Sequence, residues 1–282
     1  MKESGILLIN KKKGITSSDI VVKLRQILKT KKIGHTGTLD PLAEGLLVIT
    51  INKATKISSL LTKSYKEYIA TMKLGIKTDT FDIEGKVLDE KEVPKDLDIE
   101  KVIKSFQKTY PQQVPIFSAV KVNGKKLYEY ARQNIDITPP VKQVDIKEIE
   151  VISIDKDIIK FKCLVSSGTY VRSLINDIGN ELGTFATMTA LTRTKVNKFS
   201  LDEAYTLEDV IDGNYKLISI EDSLDIPKIK VDDELEFKIK NGNKLDNVFN
   251  IKDKVIFINS KDELLGIYEK SDDNRLKVFR NF

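Results

Sequence analysis

Residue types that often reveal a chemistry are scarce in this sequence, which has one cysteine and one histidine among 282 residues. A lone Cys163 excludes an intrachain disulfide and fits a reducing, cytoplasmic setting. Together with His35 it does not supply the ligands of a Cys/His zinc site, so no metal is expected. The longest apolar run, Leu46 to Ile51, is far short of the ~20 residues a membrane helix needs. The first residues lead straight into Ile6-Leu7-Leu8-Ile9 without the apolar core of a signal peptide. There is no G-x-x-x-x-G-K-[ST] loop and no G-x-G-x-x-G, so no nucleotide cofactor, and no cofactor of any kind, is expected. A serine triad would have to use His35, and no G-x-S-x-G elbow accompanies it. Carboxylate chemistry supported by Arg, Lys and Tyr remains.

Charge is present but unevenly spread. Net charge is +5, yet residues 228 to 282 carry twelve Lys/Arg against eleven Asp/Glu. Residues 11 to 35 instead hold eight Lys/Arg (Lys11, Lys12, Lys13, Lys23, Arg25, Lys29, Lys31, Lys32) against Asp19 alone. Such a run reads either as a solvated lysine face or as a phosphate-binding surface. It ends in Gly34-His35-Thr36-Gly37-Thr38-Leu39-Asp40-Pro41-Leu42-Ala43-Glu44-Gly45, an acidic loop stiffened by proline.

Periodicity predicts an α+β fold: a mixed or antiparallel central sheet with flanking helices, followed by a small β-rich module. Strands are expected at Gly5–Asn10, 46–51, 65–74, 141–154 and 158–165, with extended chain over 187–199. Thr16 to Asp19 offers N-caps for a helix with Ile20, Val21, Leu24, Ile27 and Leu28 on one face. Shorter helices are expected at 54–61, 99–106 and 207–211, and a long one at 169–183 whose stripe is Val171, Leu174, Ile175, Ile178 and Leu182, with Gly183 past its end. Asn123-Gly124 predicts a tight hairpin between 117–122 and 125–128. The polar, aperiodic segment 77–85 reads as a surface loop. Pro227 divides the chain into residues 1–227 and 228–282, the latter with β-type runs at 235–239, 255–258, 264–268 and 276–279.

The candidate chemical residues are ambiguous one by one. Asp40-Pro41 is the pattern of a helix start, with aspartate as N-cap, and equally that of a rigid loop presenting a carboxylate. Arg172 lies off the apolar stripe of its helix, where arginines are ordinarily solvated. Tyr68 falls on a strand, where aromatics usually join the core. Lys56 would ordinarily be a surface residue of a short helix.

Taken together, the segments resemble the TruB family of tRNA pseudouridine synthases. The likeness runs through Gly5 to Lys11, Gly14-Ile15-Thr16-Ser17, GHTGTLDPLAEG at 34–45, Ala54-Thr55-Lys56, Lys66-Glu67-Tyr68, Leu74-Gly75 and Thr78-Asp79-Thr80. It continues in PIFSAVKVNGKKLYEYAR at 115–132, Gly168 to Leu174 as GTYVRSL, and Leu191 to Arg193. Two departures stand out: Asn10-Lys11-Lys12 where the family usually has Asp-Lys-Pro, and Leu191-Thr192-Arg193 where Leu-Arg-Arg is common.

The resemblance implies a pseudouridine synthase-like catalytic domain and a PUA-like RNA-binding module at 228–282. It implies isomerisation of uridine 55 in the T-arm stem-loop of tRNA by a cytoplasmic monomer that needs no protein partner and no membrane. Asp40 corresponds to the aspartate that starts glycosidic cleavage, Arg172 to the arginine paired with it, and Tyr68 to the tyrosine that stacks on the base and is a candidate for moving the C5 proton. Tyr170 and Leu191 correspond to pocket walls, Lys56 to a supporting lysine, and His35 to a histidine that engages RNA. Lys11, Gly37 and Thr38 fall in the substrate-binding set. Attack at C1′, attack at C6 and a glycal route are all compatible with such a carboxylate. The alternatives are a tRNA-binding folding factor with incidental catalysis, and the subunit of a guide-RNA-dependent synthase.

Overall fold

A computed structural model describes residues 3–282, and its elements follow from local sequence. Strand β1 (Gly5–Lys11) leads through a turn at Gly14 into helix α1 (Ser17–Ile27). Thr16 and Asp19 close a reciprocal capping box on α1: Asp19 N donates to Thr16 Oγ1 at 3.0 Å, and Thr16 N donates to Asp19 Oδ2 at 3.1 Å. Ile20, Val21 and Leu24 are the buried face. Then come β2 (Ile33–His35), β3 (Glu44–Ile51), a 3₁₀ turn (Asn52–Ile57), α2 (Ser58–Thr62) and β4 (Lys66–Leu74). β5 (Ile76–Thr78), β6 (Val87–Glu90), α3 (Ile99–Ser105) and β7 (Thr109–Gln113) follow. A short hairpin of β8 (Lys121–Val122) and β9 (Lys125–Lys126) runs directly into α4 (Leu127–Arg132).

The long antiparallel pair β10 (Val141–Asp155) and β11 (Ile158–Val165) precedes α5 (Val171–Glu181), β12 (Ala186–Val196), β13 (Phe199–Ser200) and α6 (Leu207–Ile211). The last part comprises β14 (Lys228–Lys230), α7 (Asp233–Lys240), β15 (Leu245–Asp246), β16 (Lys254–Ile258), β17 (Leu264–Lys270) and β18 (Arg275–Asn281). Among the described residues no helix is long and apolar enough to cross a membrane.

The main sheet runs β1-β3-β12-β4-β11-β10-β7, with β2 added on β3 and β13 on β12. It is mixed, as expected, because β12 and β3 pair in parallel at Thr192↔Glu44 and Arg193↔Gly45 while the other pairs are antiparallel. α5 lays its predicted stripe against β4, β11 and β12, in one core with Met72, Phe161 and Met188. The outer edge of β1 is closed by later chain: Ile6 exchanges backbone bonds of 2.8 and 2.9 Å with Ile218, and Asn10 N donates to Tyr205 O at 2.9 Å. The second sheet, β14-β16-β17-β18-β15, brings Ile256 and Ile267 into a shared cluster with Ile6, Leu8, Leu46 and Val48.

Three local expectations are corrected. The run 235–239, read as strand, lies in α7, whose N-terminus Asp232 caps by accepting from Leu235 N at 2.9 Å. Beyond the Asp232 cap, the first turn carries three acids, Asp233, Glu234 and Glu236, which the helix dipole favours over the weak β pattern. Segment 77–85 is folded against β12: Thr78 is fully buried, Asp82 is nearly so, and Met188 exchanges bonds with Phe81 and Ile83. The 123–124 turn forms as read, with φ of +50° at Asn123 and +83° at Gly124, but its arms are two residues long because Leu127 starts a helix.

Gly45 marks the closest approach in the sheet. It has φ +100°, and a Cβ there would stand 2.4 Å from the Arg193 carbonyl oxygen. Gly14 has φ +86° with nothing within 4 Å. Gly14→Ala is therefore expected to cost about 1 kcal/mol through conformation alone, and Gly45→Ala roughly 2–4 kcal/mol. Urea unfolding midpoints of the two variants should differ accordingly; equal midpoints would show that the β3–β12 approach is not tight.

Candidate active site

The 34–45 segment leaves the sheet after His35 and returns at Glu44, and the chain between is held by contacts of its own. Asp40 starts a turn, with Ala43 N donating to Asp40 O at 3.1 Å and Pro41 in the position that suits its fixed φ. The rigid-loop reading of Asp40-Pro41 holds and the helix-start reading does not. Leu39, Leu42 and Ala43 anchor the loop in the core. Ser17 Oγ donates to Leu39 O at 3.2 Å and accepts from Leu39 N at 2.8 Å.

Two buried cations brace this loop. Lys11 Nζ donates to Ile15 O at 2.7 Å, Lys12 O at 3.1 Å and Pro41 O at 3.5 Å. The residue is wholly buried, and burial pushes its ammonium below the ordinary lysine value. Lys11 thus spends its donors on main-chain carbonyls of the loop and its flank rather than on the cavity surface. Arg193, equally buried, comes from β12: Nε donates to Leu46 O at 2.7 Å, Nη2 to Gly37 O at 3.0 Å and Nη1 to Thr38 O at 3.5 Å. Gly37 and Thr38 therefore have their carbonyls turned to Arg193. The neighbouring Thr192, at the position of a common family arginine, donates to Glu44 Oε1 at 3.2 Å.

Across the cavity, Arg172 in the first turn of α5 meets Asp40. Nη2 donates to Asp40 Oδ1 at 3.4 Å, and Nε lies 2.9 Å from Oδ2 as an ion pair without hydrogen-bond alignment, so the guanidinium faces the carboxylate side-on. Arg172 is 4% exposed, against the solvated position its helix face suggested, whereas the Asp40 side chain is 37% exposed. The remaining donors reach Thr80 O at 3.1 Å and Phe117 O at 3.0 Å, and Asp82 Oδ2 lies 4.0 Å from Nη1. Thr80 and Asp82 went unrecognised in the sequence. Their sequence signal was the polar density of 77–85, and in the structure Phe81 between them adopts a φ of +62°.

Tyr170 and the start of α5 are fixed by a relay. Gln112 Oε1 accepts from Tyr170 N at 2.8 Å, and Gln112 Nε2 donates to Tyr110 Oη, which donates to Asp177 Oδ2 at 3.0 Å. Burial pushes the Tyr170 phenol above its ordinary value, so it stays neutral. Asp40, Tyr68, Tyr170, Arg172 and Leu191 line one cavity of about 460 Å³, a size typical of small-ligand sites. Gly37 and Thr38 also line it.

Lys56 lies elsewhere: its Nζ donates to Asn281 O at 2.6 Å and sits 5.4 Å from the Phe282 ring. It ties the first sheet to the C-terminal strand, and the lysine that lines the cavity is Lys66. His35 is half-buried beside the loop, and its Nδ1 has no hydrogen-bond partner among the described residues.

The fold is shared with chains of solved RNA–protein and protein complexes. A chain in a crystal structure of a Cbf5-Nop10-Gar1 complex superposes with a TM-score of 0.73 at 25% identity, over 99% of this chain and 84% of that one. A chain in the structure of an H/ACA RNP bound to a substrate RNA containing 2′-deoxyuridine matches equally well. The class is that of pseudouridine synthases, which isomerise uridine in RNA. The family description "TruB family pseudouridylate synthase (N terminal domain)" matches residues 25–171, and "tRNA pseudouridylate synthase B C-terminal domain" matches residues 172–225. The tRNA pseudouridine synthase B of Fusobacterium nucleatum is 42% identical over 99% of both chains. That of Bacillus licheniformis is 44% identical over 85% of this chain and 82% of its own. This chain belongs to the TruB family.

Burial, and secondarily the charge of Arg193, push the His35 imidazole below its ordinary value of 6.5. As the only histidine, it gives one imidazole signal in a proton–carbon NMR titration. Its midpoint is expected below 6.5, with the ring neutral at pH 7; a midpoint at or above 6.5 would contradict the buried placement.

Proposed function

We propose that this protein converts uridine 55 in the T-arm of tRNA to pseudouridine, with Asp40 as the nucleophile and the target base turned out of its loop into the cavity. The observation that carries this reading is the ion pair of Arg172 with Asp40 at a cavity also lined by Tyr68. The relatives named tRNA pseudouridine synthase B, matched over nearly the whole chain, support tRNA as the substrate. The reaction breaks N1–C1′, turns the base and joins C5 to C1′, with the C5 proton released as the new base is restored. Nothing is oxidised and no energy source is consumed.

Within this reading each group has a physical task. Arg172 fixes the carboxylate in one orientation, which removes part of the entropy of reaching the attack geometry. A flipped base loses its stacking partners, and Tyr68 restores a platform worth about 1–3 kcal/mol. Tyr170 and Leu191 form the opposing walls. His35 engages RNA at the mouth as a neutral ring. Lys12, Lys13, Lys29, Lys31 and Lys32 are exposed and bind phosphates without reading sequence. Residues 1–227 act as the catalytic unit, and 228–282 as a PUA-like module that extends the RNA contact. The protein works as a single chain in the cytoplasm.

Asp40→Asn tested on unmodified tRNA separates catalysis from binding and from a pure folding-factor role. Pseudouridine formation is expected to fall by roughly 10⁴-fold or more, the scale for loss of a covalent nucleophile. Binding should be unchanged or tighter, because a carboxylate facing a polyanion is removed. Sustained turnover by the variant would refute the mechanism, and wild-type protein that leaves uridine 55 unmodified would refute the substrate.

A further inference from the structure

β4 runs into the site with a strict alternation: Lys66, Tyr68, Ala70, Met72 and Leu74 are buried, and the residues between them are half-exposed. That face suits apolar and aromatic side chains, and the lysine at its first position is the exception. Lys66 is 7% exposed and lines the cavity beside Tyr68. Its ammonium donates to Thr62 O at 3.1 Å and Ser64 O at 3.0 Å, which uses two of its three donors.

Arg193 lies next to it. A Cβ built on Gly37 would stand 3.5 Å from Lys66 Cε and 3.5 Å from Arg193 Nη1, so both cations flank the same glycine. The hydrogen bonds that hold the two go to main-chain carbonyls. Burial, then the positive charge of Arg193, push the Lys66 ammonium down to about 8. Among the described residues neither cation forms an ion pair of its own, and like charges so placed are costly unless something negative completes them. Uracil and ribose are uncharged, so the anion that an RNA substrate can bring here is a phosphodiester.

We propose that Lys66, backed by Arg193 across Gly37, is an oxyanion subsite that takes one phosphodiester of the RNA strand next to the displaced uridine. The inference rests on the reading of the cavity as the site of RNA pseudouridine formation. It gives the compact ammonium of Lys66 the contact with phosphate. Arg193, with three of its five donors on carbonyls, holds the loop and adds field. The subsite fixes the backbone on one side of the target nucleotide while Tyr68, two residues on, receives the base.

The test uses the full chain and a T-arm stem-loop RNA, with KM, kcat and their salt dependence measured for wild type, Lys66→Gln and Lys66→Arg. Loss of one charge-assisted contact is expected to raise KM roughly tenfold with kcat little changed, and to lower the salt slope by about 0.7. Lys66→Arg should recover most of both. A single uncharged methylphosphonate at one linkage flanking the target should raise KM for wild type and add nothing further in Lys66→Gln. Unaltered salt slope, or methylphosphonate effects that add to Lys66→Gln at every linkage, would overturn the subsite and leave Lys66 a brace for the 62–64 turn. Inorganic phosphate competing equally with wild type and Lys66→Gln would also count against it. Wild-type protein that makes no pseudouridine would instead overturn the underlying functional reading. Lys66→Met, which keeps the aliphatic stem, replaces Gln if that variant does not fold.

Discussion

One buried guanidinium ties the candidate site together. Arg172 contacts Asp40, the Thr80 carbonyl and the Phe117 carbonyl, so a single side chain joins the 34–45 loop, the 77–85 turn and the base of the 117–132 hairpin. Removing water from a guanidinium costs several kcal/mol unless its donors are satisfied, and taking away one partner of such a pair typically costs about 3–5 kcal/mol. The carbonyls therefore do more than fill space. They hold the guanidinium plane where its remaining edge meets the carboxylate, and the Gln112–Tyr110–Asp177 relay sets the helix end from which it extends.

The loop carrying Asp40 is stabilised by a different device. It has little regular backbone pairing, yet its carbonyls are not left to solvent: Lys11 takes that of Pro41, and Arg193 those of Gly37 and Thr38. Cations here act as ligands for main-chain oxygens, and the loop gains the rigidity a sheet would have given it while its side chains stay free to face the cavity. The parallel β3–β12 step puts Arg193 at this point, and the close approach at Gly45 allows the step.

Much of the scaffold was legible because apolar periodicity reports which face of an element is buried. The α5 stripe, the two strands β10 and β11 and an N-cap within residues 16–19 needed only neighbours within a few residues. Polar residues carry no such record. Arg172 looked solvated because it lies off its helix's stripe, and its burial depends on carbonyls 55 and 92 residues away in the chain. Lys11 and Lys56 were read from charge and resemblance, but the partners that decide their roles, at Pro41 and Asn281, follow from tertiary closure. The turn at 80–82 was missed for the same reason: Thr80 Oγ1 bonds to Asp82 and the Thr80 carbonyl accepts from Arg172, a pattern that has no period.

The pairing of β1 has a consequence for how the chain comes together during synthesis. β1 is made long before Tyr205 and Ile218, the residues that cover one of its edges. At about 5–20 residues per second, that edge waits on the order of 10–40 s for its cover. Contacts so distant in sequence also slow folding, because the closing loop must lose its entropy before the contact is gained. β3 can pair with β1 early and shield its other side, but the apolar face that Ile256 and Ile267 later cover stays open longer still. The growing chain thus carries an open strand edge until residues 205–218 are made, and an open apolar face until the second sheet follows.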